Sequence, residues 1–143
     1  MSKIILTISF ISIAVFAIAC GGAGSSSSDT TGKVIKSGPA GNNMTVTLSS
    51  ADGVLRDGQQ DITLSFTDAS GKPVDVGAAS LNFHMPAMGT MPVMNDAATL
   101  TTTGTPGVYK GNVNLEMAGE WQTQITYEGA AGKGKANLPI VAQ

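Results

Sequence analysis

Met44-Thr45-Val46-Thr47-Leu48-Ser49 alternates large apolar and small polar side chains without a break. Successive side chains of a strand point to opposite faces, so Met44, Val46 and Leu48 share one face and the hydroxyls share the other. Ile62-Thr63-Leu64-Ser65-Phe66-Thr67 repeats the pattern. Two half-buried strands are therefore expected, and Ala51-Asp52-Gly53 and Asp57-Gly58 between them are turn chemistry.

The same period carries on outward. Asp68-Ala69-Ser70-Gly71-Lys72-Pro73 makes a corner, after which Leu81 and Phe83 point one way along a strand that ends at His84. Ala98 and Leu100 mark a short strand, and Gly104-Thr105-Pro106-Gly107 turns the chain into Tyr109, Gly111, Val113 and Leu115. Ala118-Gly119 turns it again. Trp121, Thr123, Ile125 and Tyr127 alternate with Gln122, Gln124 and Thr126, and Leu138 and Ile140 close the series after glycines 129, 132 and 134. Glycine is abundant at 18 residues and no amphipathic helix is evident. About seven strands with turns between them predict an all-β, immunoglobulin-like antiparallel β-sandwich over residues 33–143. Trp121 and Tyr127 both face its core in this reading.

A chain of 143 residues allows one such domain. Only 13% of it is charged, at a formal net charge of −2, which supplies no basic surface for nucleic acid. The single cysteine excludes an intramolecular disulfide and a multi-cysteine zinc site. Residues 1–19 read as a targeting segment: Lys3 gives a positive start, and Ile4 to Ile18 form an apolar run too short for a comfortable membrane span. Ala17-Ile18-Ala19-Cys20 then resembles the lipobox of bacterial lipoproteins, which would make Cys20 a lipidated N-terminus held to membrane lipid by two or three acyl chains. Residues 20–32, rich in glycine and serine, read as a flexible tether. Glycine rather than aspartate after Cys20 fits the sorting pattern for the outer membrane, facing the periplasm, in a diderm cell.

The least ordinary stretch is Phe83-His84-Met85-Pro86-Ala87-Met88-Gly89-Thr90-Met91-Pro92-Val93-Met94. It holds the one histidine and four of seven methionines, every third residue. Pro86 and Pro92 push the residues before them toward extended geometry, so the run is a loop. In a straight polyproline arrangement neighbouring thioethers would lie roughly 9 Å apart, too far to grip one ion, and Gly89 is where a bend costs least. Thioether and imidazole donors together favour Cu(I) over calcium or magnesium. His84, Met85, Met88, Met91 and Met94 are the candidate ligands. The alternative is that adaptable methionine merely plugs one end of the sandwich. A plug buries its sulfurs, whereas a ligand site leaves at least two of them beside His84 and reachable. Trp121 has a core role in the plainer reading, and in the sharper one its indole caps a bound Cu(I).

No acid–base or nucleophilic constellation accompanies these residues, so no enzyme is expected. Asp52, Asp57, Asp61 and Asp68 lack the spacing of a calcium loop and read as turn residues.

Four motifs in order resemble the YtkA-like domain, close to the FixH-like family of bacterial envelope proteins. They are Asp61–Leu64 running to Asp68-Ala69-Ser70-Gly71-Lys72-Pro73-Val74, then Met85-Pro86-Ala87-Met88-Gly89, then Pro106-Gly107-Val108-Tyr109, then Met117-Ala118-Gly119-Glu120-Trp121. The resemblance spans roughly residues 45 to 141. It implies an immunoglobulin-like sandwich in the envelope, beside heavy-metal efflux or cytochrome oxidase assembly components. A lipobox in place of a transmembrane anchor departs from FixH-like proteins, and Met91-Pro92-Val93-Met94 extends the family's loop. Two functions follow as expectations. One is a lipid-tethered module that binds copper through the His/Met loop. The other is a module that needs no metal and uses that loop to contact an efflux or oxidase-assembly partner.

Overall fold

The computed structural model describes residues 32–143. The expected leader, the lipidated Cys20 and all but the last residue of the tether lie outside the described residues. Eight strands and no helix make up the rest: β1 (Lys33–Gly41), β2 (Met44–Ser50), β3 (Gly58–Thr67), β4 (Ala78–Met85), β5 (Met94–Thr102), β6 (Val108–Leu115), β7 (Gly119–Gly129) and β8 (Gly132–Ala142).

All pair antiparallel, in the order β1-β2-β3-β6-β5-β4-β7-β8. The joint is β5. Its first half, Met94 to Ala98, pairs with β4, and its second half, Thr99 to Thr102, pairs with β6. One strand thus stitches a β1-β2-β3-β6 layer to a β4-β7-β8 layer, while β1 packs against β8 on the other side. The expected sandwich is in this way a single sheet that nearly closes on itself, with its exposed edges brought together.

The additional strand is β1. Only Ala40 of its nine residues is buried, and its pairing with β2 slips between Val34 and Lys36 and again between Pro39 and Gly41. An edge strand with bulges has no clean alternation to read. Its turn is specified by Asn42 and Asn43, at φ of 52° and 57°, the two left-handed positions that a type I′ hairpin requires.

Inside, Met44, Val46 and Leu48 meet Ile62, Leu64 and Phe66, and opposite them lie Leu81, Phe83, Met85, Trp121, Ile125, Tyr127, Leu138 and Ile140. Complete burial of each large side chain contributes about 1.5–3 kcal/mol. Phe66 meets Tyr109 and Tyr127 edge-on, at centroid distances of 6.1 and 5.4 Å. Each buried phenol has its hydroxyl bound: Tyr127 donates to the Ala40 carbonyl and Tyr109 to that of Gly77.

Because neighbours are antiparallel, odd-numbered strands leave from one end of the barrel and even-numbered strands return to it. That end carries Gly32, Gln143 and the β2–β3, β4–β5 and β6–β7 connections. The C-terminus seals part of it, with Gln143 N–H donating to the Leu55 carbonyl and Asp57 N–H donating to that of Gln143.

Candidate metal centre

The methionine run is the β4–β5 connection, and it continues the hairpin rather than looping free. Leu81 opposes Ala98, Phe83 opposes Asp96 and Met85 opposes Met94. The same register reappears at the tip, where Met88 and Met91 exchange two backbone hydrogen bonds of 3.2 and 2.9 Å. Between them Pro86 and Pro92 have no N–H to give, which breaks the ladder. Gly89 and Thr90 alone turn the chain, with Gly89 at φ 59° in the first central position, as in a II′ turn. The bend expected at Gly89 is there.

Spacing by threes about a two-residue turn has a consequence: the four methionines form two nested cross-strand pairs. Met85 is 1% exposed and Met94 half-buried, both against the core. Met88 is 47% exposed. Met91 is half-buried and packs on the core cluster. Residues directly opposed across a hydrogen-bonded pair share a face, with Cβ atoms about 5.5 Å apart. Met88 and Met91 therefore leave the backbone on the same side of the arm.

His84 sits one residue before the inner pair and faces the opposite way from Phe83 and Met85. It is half-buried on the outer surface between Asn95 of β5 and Gln122 of β7. Its Nδ1 lies 2.8 Å from Asn95 Oδ1. In the tautomer where Nδ1 donates to this oxygen, the Nε2 lone pair is left for a ligand. This is the kind of partner that orients a metal-binding imidazole. The strand pleat thus puts Met85 and Met94 on the inner face and His84 on the outer. It does not gather all five candidates at one point.

Below the arm, extension of the β4–β7 register brings Met85 opposite Trp121. Trp121 is fully buried and its Nε1–H donates to the Met117 carbonyl at 3.1 Å. Its core role is what the structure describes. The β6–β7 connection is tied to β5 by Glu116 N–H donating to Asp96. Asn95, the orienting partner, and Met117, half-buried at the same end, carry no distinguishing signal of their own in the sequence. The hairpin register is what could have revealed Asn95. Among the described residues no cluster of three His, Cys, Asp or Glu side chains could hold a metal.

The four sequence motifs prove to be supports for this end and its opposite. Asp68 Oδ1 accepts from the Ser70 hydroxyl and the Ser70 and Lys72 amides, which lowers its pKa, the hydroxyl bond weighing most. Gly107, at φ 76°, lies so close to Val74 that a Cβ there would fall 2.1 Å from its carbonyl oxygen. Gly119 lies beside the Met85 methyl. The family profile described as YtkA-like matches residues 40–126, more than half of the chain. The chain belongs to the YtkA-like family. No curated protein matches it closely enough to stand as a relative. In this YtkA-like domain the matched region runs from the end of β1 into β7, so it contains the arm, His84 and Trp121.

Proposed function

We propose that the protein is an extracytoplasmic lipoprotein, anchored through Cys20, that captures or passes on Cu(I) at the tip of the β4–β5 arm. The observation that carries this reading is the Met88–Met91 pair: two methionines directly opposed at the hairpin tip, one of them open to solvent. Neutral sulfur ligands need no deprotonation, and soft donors select Cu(I). His84, with Nε2 free, is the nitrogen donor to which the tip can hand the ion or with which it can share it. Met94 is a reserve ligand. Met85 belongs to the core. In this reading the protein has no catalytic role.

The test is competition of the full chain with a Cu(I) chelator under anaerobic conditions. Replacing Met88 and Met91 together by leucine should weaken retention by more than about tenfold, which is roughly 1.4 kcal/mol. His84→Ala should weaken it by removing the one imidazole donor. Unchanged affinity in both variants overturns the copper reading.

A second reading draws on the exposed Met88 and Val93. Here the arm is a pliable apolar contact for an efflux or oxidase-assembly subunit and no metal takes part. It predicts that the double leucine variant keeps its partner and its phenotype.

A further inference from the structure

The large apolar side chains that remain exposed among the described residues are Val34, Met88, Val93 and Val141. They come from four separate places in the sequence. Val34 is the second residue of β1, Val141 the next to last of β8, and Met88 and Val93 lie on the β4–β5 arm. All four belong to the end of the barrel from which odd-numbered strands depart. The opposite end, built from the Asn42–Asn43 turn and the β3–β4, β5–β6 and β7–β8 connections, exposes none.

The chain enters the fold at that same end. Gly32 leads directly into β1, and residues 20–31 precede it. Twelve residue steps from Cys20 to Gly32 span at most about 40 Å. Strands of seven to eleven residues, tilted as in a barrel, make the fold roughly 17–29 Å long. Seating the far end on the surface that holds Cys20 would require those twelve residues to run back along the whole barrel. Seating the near end places the anchor beside the point where the chain enters. Charges around the near end are net acidic, with Lys33 and an Arg56 already paired to Asp52 set against Asp57, Asp96, Glu116 and Glu120. No net attraction to anionic headgroups follows.

We infer that this apolar rim rests on the zwitterionic surface of the bilayer that holds the anchor, so the methionine arm points at the membrane rather than into the surrounding compartment. This rests on the Cys20 anchor reading and is independent of copper. Side chains such as Val93 and Met88 at a bilayer boundary dip into the headgroup and upper acyl region. A metal ion at the arm tip would then be exchanged with a membrane-embedded donor or acceptor in preference to one diffusing freely.

The experiment uses the full processed chain, floated on phosphatidylcholine vesicles that carry a nitroxide near the headgroup. Acylation consumes the only native thiol, so Val93→Cys on the arm and Ala130→Cys on the far β7–β8 turn each take a single fluorophore. Quenching several-fold stronger at position 93 than at 130 is expected, and it should diminish when Met88 and Val34 are replaced by asparagine. Equal quenching at the two positions overturns the orientation while leaving the anchor intact. Quenching at 93 that requires an added envelope protein fraction assigns the rim to a protein partner and overturns the bilayer contact. Failure to float, with a mass lacking acyl chains, removes the anchor reading and the inference with it.

Discussion

Two pairs of methionines share one hairpin register, and their fates differ. Met85 lies where the ladder is intact and is buried in the core, with Met94 half-buried across from it. Met88 and Met91 lie beyond two prolines, where the sheet has ended; Met91 still packs on the core, half-buried like Met94, and Met88 alone of the four stays open to solvent. Side-chain chemistry is identical in both pairs. What differs is the backbone beneath them, so the same thioether fills space in one place and is displayed in the other. Burial and exposure, which the sequence offers as alternatives for the whole run, fall to different members of it.

That contrast breaks most visibly at its inner pair. Met85→Ala should lower unfolding free energy by about 2–5 kcal/mol in denaturant titration, the usual cost of emptying a buried site of this size. Its effect on Cu(I) retention should be no more than the loss of folded protein explains. A next, smaller effect is expected at the turn. Gly89→Val places a β-branched residue at φ 59°, a strain of about 1–2 kcal/mol that the arm relieves by opening at its tip. Amide exchange at Met88 and Met91 should accelerate while the global unfolding transition hardly moves. Smaller still is the effect on stability of replacing Met88 and Met91 by leucine, which should stay within about 0.5 kcal/mol. If instead it approached the Met85 value, the tip would be core and the distinction between the pairs would collapse.

How much of this the sequence shows depends on how regular each element is. Met44–Ser49 and Ile62–Thr67 announce themselves because one face of each is fully buried and the other is small and polar. β1 does not, because an edge strand with two register slips buries a single alanine. Asn42-Asn43 was the available signal. The arm shows the same limit in another form. Period three suggests a polyproline edge with sulfurs in a row, and the bend at Gly89 is legible. What hides the nested pairs is that pairing depends on register across the turn, which spacing along one strand does not state. The outward direction of His84 follows from its place beside Phe83 and Met85 on β4, yet its link to Asn95 exists only once β4 and β5 are aligned.

The smallest effect expected lies away from both pairs and serves as their control. Arg56 donates to Asp52 and, with the Val54 amide, holds the Asp52 carboxyl at about 2. A carboxyl depressed in the folded state adds stability above its unfolded value of about 3.9, and that contribution fades as pH falls toward 2. Asp52→Asn should therefore cost slightly at neutral pH, less in high salt because the ion pair is exposed, and nothing once pH falls below about 2. Comparison of the two thermal midpoints across that range checks it, and Cu(I) affinity should be the same for both.

The claim on which the account turns is that displayed thioethers, not carboxylates or backbone, hold the metal. X-ray absorption at the copper edge of the anaerobically loaded full chain reads the ligand atoms directly. A first shell dominated by sulfur, with a nitrogen scatterer that disappears in His84→Ala and sulfur scattering that disappears when Met88 and Met91 are leucine, is the predicted result. A shell of oxygen and nitrogen alone, or one unchanged by those substitutions, would contradict it.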